Sequence, residues 1–342
     1  MSNADGGEAR DVTPGIRYLS EGDVVSVLDI GRAIDALEEM LRLQGARQAQ
    51  NVPKTLATWG EGNSMHALGS VMTGQGYAGF KTWVYAKDGG GSVFSLFDAR
   101  KGTLLALIEA RALGMLRTAA ISGVATRLLA PREIRRAALI GAGPQAVTQL
   151  AALAAVQELE EVRVFSRSAE KCRAFVSGLA ARYSCALRVC ATPEEALDGA
   201  GIATLITRAQ EPFISAGMLR GCRHINAMGA ILPAKAELHR DVLEGAARYV
   251  VDDLENARRG SRELRERFGP GPEGWERVEV LGDLLAADRP SPPAGGLTLF
   301  KGMGMGLSDL AMARAVYEAA QQRGLGTQLP AQTRRNLLLE QA

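Results

Sequence analysis

The residues with types and spacing suited to chemistry fall into two groups, one backbone-built and one built from charged side chains. Gly141-Ala142-Gly143-Pro144-Gln145-Ala146 follows the short apolar run Ala137-Ala138-Leu139-Ile140 and opens an Ala/Leu-rich helical stretch. Gly141 allows a tight turn, Gly143 lets a pyrophosphate approach the backbone, and Ala146 permits close helix–strand packing. Phosphates would then sit on the helix N-terminus, where free N–H groups and the dipole favour anions. Such a turn alone is common. A strand before it and a helix after it are the context that gives it meaning. Further on, Phe165-Ser166-Arg167-Ser168 ends the second strand of this module. An acidic residue there would bond a ribose 2′-hydroxyl; an arginine and two serines suit a 2′-phosphate. NADP(H) is therefore favoured, NAD(H) stays possible, and an ordinary surface arginine is the alternative.

The charged group lies earlier. In Gly79-Phe80-Lys81-Thr82-Trp83-Val84-Tyr85, alternation puts Lys81, Trp83 and Tyr85 on one strand face. A lysine on such a face meets an anion or snorkels to water. Arg117 interrupts an otherwise apolar helix, Leu116-Arg117-Thr118-Ala119-Ala120, and a guanidinium is the natural bidentate partner of a carboxylate. His66, just before the Lys81 strand, is the more plausible acid/base candidate of the three histidines. Each of these also has a purely structural reading.

The elements that position them are legible as a coarse pattern. Asp23 to Leu43 has the spacing of two amphipathic helices broken near Gly31. Val93–Phe97 and Thr103–Ile108, joined through Gly102, predict a hairpin. Ala110–Ala130 returns to helical spacing and stops before Pro131. From Ala137 to Val251 strands alternate with helices, which calls for a doubly wound parallel sheet. Segments 258–274 and 288–296 are charged or Pro/Gly-rich and predict surface loops, as does the pocket-sizing stretch 60–72. After a last strand, Leu297–Lys301, a helix from Leu307 to Arg323 could return to the first unit. The nucleotide module would then be an insertion.

Composition narrows the function classes. The length suits two domains of about 150 residues. Lys+Arg 40 against Asp+Glu 38 lacks the basic excess of a nucleic-acid binder. Four cysteines without CxxC spacing and three histidines argue against a zinc site and against a disulfide framework. No apolar run reaches the 18 or so residues of a membrane span, and residues 1–15 read as a flexible polar start rather than a signal peptide. A cytoplasmic protein that binds neither membrane nor nucleic acid is expected.

Five stretches in order, Gly79-Phe80-Lys81, Leu116–Ala120, Gly141–Ala146, His224-Ile225-Asn226-Ala227-Met228-Gly229, and Phe300-Lys301 through Asp309-Leu310-Ala311, resemble the ornithine cyclodeaminase/μ-crystallin family. The resemblance runs from about Val52 to Ala320. It implies an α/β fold with a Rossmann-type sheet (129–304) inserted in a discontinuous α+β substrate-binding and dimerisation domain (16–128 and 305–342). It implies a homodimer using NAD(P)(H) on a small amino or imino acid. By position it gives Lys81 and Arg117 to the substrate carboxylate, with Lys81 a possible proton donor, and Lys54 and Thr118 to substrate placement. Gly141, Gly143, Pro144, Gln145 and Ala146 would hold pyrophosphate, and Ser166, Arg167 and Ser168 the adenosine ribose. Thr207, Ala227, Met228 and Gly229 would lie by the nicotinamide.

The departures from the family pattern select among its activities. Where ornithine cyclodeaminases carry an Asp after the Asn-Ala-x-Gly turn, this sequence has Ile231, which can neither take a proton nor pair with an ammonium. Gly302-Met303-Gly304 and Gly260-Ser261 also depart, and Lys54 stands for an arginine. The expectation is an imino-acid reductase or amino-acid dehydrogenase. A cyclodeaminase-type lyase and a non-catalytic NADP-dependent ligand binder are the alternatives.

Overall fold

The computed structural model describes residues 15–287 and 295–332. The expected flexible start (1–14), most of the proline-rich segment (288–294) and residues 333–342 lie outside the described residues.

The chain begins with β1 (Ile16–Leu19), α1 (Glu21–Val27), α2 (Ile30–Gly45), β2 (Ala49–Trp59), β3 (Asn63–Met72), β4 (Tyr77–Ala86), β5 (Gly89–Asp98), β6 (Thr103–Glu109) and α3 (Arg111–Leu129). Ser20 and Asp23 cap α1 reciprocally, and Asp29 caps α2 through the Arg32 amide. The helix break thus falls at Leu28-Asp29, ahead of Gly31, because the aspartate offers an N-cap acceptor that glycine lacks. Strands β2 to β6 form an antiparallel meander, and β1 adds in parallel to β6. Segment 60–72, expected as a loop, is mostly β3. Its partner β2 shifts register between Val52 and Thr55. Pro53 sits at that shift, where its missing N–H breaks no regular ladder bond.

The second sheet is all parallel. Its elements are β7 (Arg136–Ile140), α4 (Pro144–Val156), β8 (Glu161–Phe165), α5 (Ala169–Leu179), β9 (Ala186–Val189), α6 (Pro193–Leu197), β10 (Ile202–Leu205), β11 (His224–Ala227), α7 (Arg240–Gly245), β12 (Ala246–Val251), α8 (Leu254–Gly260), α9 (Arg262–Phe268), β13 (Val278–Val280), α10 (Leu281–Ala286) and β14 (Leu297–Lys301). The strand order β13-β12-β14-β11-β10-β7-β8-β9 contains the reversal between β7 and β10 that defines a Rossmann-type switch point. Segment 258–274 is not a plain loop: α8 and α9 cover much of it, capped by Asp253 and Ser261. Most of its charges sit on the solvent sides of these short helices, as in the Arg262–Glu266 pair, while Glu263 turns inward.

Past β14 the chain returns through α11 (Gly306–Arg323) to β15 (Thr327–Leu329), which pairs antiparallel with β1. The first sheet is therefore built from residues on both sides of the second. Helix α3 is buried all round from Thr118 to Thr126, and α11 is buried over most of its first two turns. A helix without a polar face belongs between layers; α3 packs on α2, α4 and α11, while α11 also meets β3 and β4.

Candidate active site

Lys81 projects from the inward face of β4, buried, beside Trp83, which pairs with His66 of β3. The His66 ring stacks on Trp83 at 4.6 Å, and the Lys81 and Lys54 ammonium groups stand 4.9 and 5.8 Å from the Trp83 ring centre. Lys54 comes from the irregular stretch of β2 beside Pro53. Helix α3 brings Arg117 to the same place, and the first turn of α11 brings Asp309. Lys81 Nζ donates to Asp309 Oδ1 at 2.8 Å, and Arg117 Nε lies 3.6 Å from the same oxygen. Two cations therefore share one carboxylate, with a third, Lys54, over the Trp83 ring, and buried Asp309 Oδ2 and Arg117 Nε have no hydrogen-bond partner among the described residues. A second carboxylate, brought by a ligand, would accept from the Arg117 Nε–H, while Asp309 Oδ2, itself an acceptor, calls for a donor.

Burial pushes the Lys81 ammonium below its ordinary value, and Arg117 and Lys54 push the same way against the opposing pull of Asp309. Lys54 is lowered by burial and then by Arg117. Burial, with help from Lys54, also lowers His66, whose Nε2 lies 3.1 Å from Ser64 Oγ. The shift favours the uncharged His66 ring at neutral pH. The Thr118 hydroxyl turns back onto the Gly114 carbonyl at 2.9 Å. Its contribution is made by its backbone, since the Thr118 carbonyl accepts from Gln149 Nε2 of α4 at 3.0 Å. That buried bond fixes the Arg117 helix against the helix of the glycine-rich turn.

The glycine-rich turn has the features of a phosphate cradle. Gly141 takes φ 127°, and a Cβ there would stand 2.5 Å from the Ile206 carbonyl oxygen, so only glycine fits. In front of Gly143 is open space, and no side chain caps the α4 N-terminus. Pro144 is its first residue, Gln145 is exposed, and Ala146 is buried against the sheet. Ser168 caps α5 through the Lys171 amide at 3.2 Å. Ser166 and Arg167 line a depression of about 440 Å³ with Phe165, Arg173, Cys190 and Glu195. Neither arginine has an ion-pair partner among the described residues. The residues present therefore fit a dinucleotide: an open, uncapped helix N-terminus for its phosphates and a cationic depression for one of its ends.

The other side of the switch point carries Thr207 after β10 and Ala227-Met228-Gly229 at the end of β11. Ala227 and Met228 are buried, and Gly302 rests on the Met228 side chain, a Cβ there standing 2.5 Å from Met228 Cε. Two residues further, Gly304 (φ 82°) rests on Arg117, a Cβ there standing 2.8 Å from its Nη1. The loop after β14 thus links the end of β11 to the cationic cluster. Asp252 holds that loop, accepting from the Met303 and Gly304 amides at 2.9 and 2.7 Å, while burial pushes its carboxyl up to about 6. Ile231 is exposed, with Leu232 beside it. Asp309, Glu237 and Asp252 were missed as functional groups by sequence reasoning. Asp309 sits in a quoted motif, but nothing local says that its partner is 228 positions away.

An alanine dehydrogenase from Archaeoglobus fulgidus is 30% identical to this chain over 321 residues, 91% of this chain and 97% of that protein. A Delta(1)-pyrroline-2-carboxylate reductase from Bacillus cereus is 32% identical over 242 residues, 69% of this chain and 73% of its own. Among solved structures, an archaeal alanine dehydrogenase dimer with bound NAD superposes with a TM-score of 0.83 at 29% identity, covering 92% of this chain and 98% of that one. Residues 18–324 match the family model of the ornithine cyclodeaminase/mu-crystallin family, and the chain belongs to that family.

Proposed function

We propose that the protein is an NAD(P)H-dependent oxidoreductase that reduces a small α-imino acid, formed from a 2-oxo acid and an amine or present as a cyclic ketimine, to the amino acid, or runs the reverse reaction. The observation that carries the reading is the sharing of Asp309 by Lys81 and Arg117, with Lys54 over the adjacent Trp83 ring, at the loop that leads to the end of β11. In this reading residues 16–128 and 305–342 form the substrate-binding and dimerisation domain and 129–304 the cofactor domain.

A reduced nicotinamide, when bound, supplies a hydride to the carbon of the C=N bond. Gly141 to Ala146 hold the pyrophosphate, and Ser166, Arg167 and Ser168 the adenosine ribose. Arg117 takes the substrate carboxylate in a bidentate grip with Lys54 in support, which orients the reacting carbon. Lys81 Nζ, lowered by burial, keeps the imine nitrogen protonated, a general-acid contribution of about 10²–10⁴ in rate. Asp309 anchors that ammonium, and the His66–Trp83 stack walls the site on the β3–β4 side. Ile231 supports reduction over cyclodeamination, because no carboxylate stands there to receive a substrate amine.

NADPH preference is supported by Arg167 and Arg173 in the depression after β8, which have no ion-pair partner among the described residues. A homodimer is supported by exposed Val52, Met65, Phe80 and Val84 on the outward face of the first sheet and by the dimer of the archaeal alanine dehydrogenase. Among the described residues no helix is long and apolar enough to cross a membrane.

The test is loss of reduced-nicotinamide absorbance with NADPH and with NADH, on 2-oxo acids plus ammonia or methylamine and on cyclic imino acids. Turnover of an imine is expected, with Arg167→Ala weakening NADPH about tenfold and leaving NADH unchanged, as for one lost charged hydrogen bond. Conversion of ornithine to proline without net nicotinamide use would overturn the reading.

A further inference from the structure

Behind the loops that follow β10 and β11 lies a carboxylate with no solvent exposure. Glu237 Oε1 accepts from the Thr207 amide at 2.9 Å and the Thr207 hydroxyl at 2.7 Å. Its Oε2 accepts from the Gly229 amide at 3.0 Å and the Ala230 amide at 3.2 Å. One side chain thus ties the C-terminal ends of two adjacent parallel strands to each other. The fit leaves no slack at Gly229, where a Cβ would stand 2.3 Å from Glu237 Oε1 and 2.4 Å from the Thr207 carbonyl oxygen.

Glu237 is itself held from behind. Glu263 Oε1 accepts from the Glu237 and Leu238 amides at 2.8 and 3.2 Å. Its other oxygen meets Lys301 Nζ at 2.6 Å in a fully buried ion pair. Lys301 ends β14, so the ends of three neighbouring strands, β10, β11 and β14, converge on two carboxylates and one ammonium. Such a network is strong when every member is satisfied, because the low dielectric strengthens each bond and penalises each loss.

Its position says what it is for. The phosphate cradle at Gly141–Ala146 and the cationic depression after β8 take the pyrophosphate and adenosine half on one side of the switch point. The other half of a dinucleotide must then lie over β10 and β11. We propose that Glu237 is the positioning residue for the nicotinamide half of the cofactor, fixing the Thr207 and Gly229 loops as one rigid platform. The inference rests on the dinucleotide-dependent reading above. It concerns a residue that touches the platform rather than the cofactor.

The experiment compares Glu237→Gln with wild type in two binding titrations and one kinetic one. A glutamine of the same size must turn an N–H₂ toward either the Thr207 or the Gly229–Ala230 donors, so one strand end is released. The expected result is weakening of the better-bound of NADH and NADPH by about tenfold. ADP-ribose, or its 2′-phosphate form, lacks the nicotinamide and should bind as to wild type. Turnover should fall by about 10²-fold, the scale of a 1 Å misplacement, with the substrate KM little moved. Glu237→Asp keeps the charge that faces Lys301 but is one methylene too short to reach both strand ends, and should show the same split at smaller amplitude. Equal loss of dinucleotide and fragment in both variants, or no loss of either, would overturn the proposal. A wild-type protein that binds the fragment and neither dinucleotide would instead overturn the functional reading on which it stands.

Discussion

Two buried lysines show how differently the molecule uses charge in its two halves. Lys301, at the end of a parallel strand, pairs with Glu263 at 2.6 Å, and the remaining carboxylate oxygens around it accept from backbone amides and the Thr207 hydroxyl. Lys81, on an antiparallel strand, pairs with Asp309 at 2.8 Å, but Arg117 competes for the same oxygen and Lys54 adds a third positive charge nearby. The first arrangement sets two carboxylates against one ammonium and is closed to solvent. The second carries more cation than anion at a partly open edge, the arrangement that the proposed carboxylate substrate would complete. A buried ion pair does not by itself distinguish structure from function; the balance of charge around it does.

Mutating each lysine sharpens the contrast. Lys81→Ala should lower kcat/KM by about 10³-fold, from lost proton donation and substrate placement. Its melting temperature should move little, because Arg117 remains to pair with Asp309. Lys301→Met should do the reverse. Removing one partner of a closed buried pair costs about 3–5 kcal/mol, read as a lowered denaturation midpoint, while the folded fraction keeps its substrate KM. Equal destabilisation by the two substitutions would break the comparison.

A smaller effect is expected from pH. His224 lies inside the parallel sheet with Nε2 3.1 Å from Asn226 Oδ1, and burial lowers it to about 4. Below pH 6.5 the unfolded chain takes a proton that the folded one refuses, so the histidine's contribution to stability falls as pH drops from 6.5 toward 4. The loss reaches about 3 kcal/mol at the low end. Asp252, raised to about 6, acts with the opposite sign: its contribution to stability is complete below about pH 4 and is lost as pH rises through 6. Urea unfolding of wild type and His224→Gln across this range isolates the histidine as the difference between the two, which should widen by about 3 kcal/mol from pH 6.5 to 4. A difference between the two that does not change with pH would overturn the assignment to His224.

What could be seen in the sequence depended on the range of the interaction. Alternation marked the face of Lys81, and the helical period marked the strip that contains Arg117, because both are local patterns repeated over several residues. The glycine turn was legible because Gly141 is dictated by its own backbone angle. Strand β2 was not, since Pro53 and the register shift disrupt the pattern that would reveal it. Helices α8 and α9 were hidden by their charge, which short exposed helices share with loops. Asp309, Glu237 and Asp252 owe their importance to partners far along the chain, and no local signal carries that. Glu237 sits in Ala236-Glu237-Leu238, a stretch that offers no hint of the four donors waiting for it.

The return of α11 and β15 to the first sheet has a consequence for synthesis. On the ribosome, β1 to α3 emerge with no α11 to cover them, and the parallel sheet must be made before the missing helix appears. The inserted module can close around local βα units as it is translated, whereas Lys81 waits for a carboxylate 228 positions downstream. Such a closure costs loop entropy and favours late assembly. The last event of folding would then be the arrival of Asp309, so the cationic cluster comes into existence only in a finished molecule.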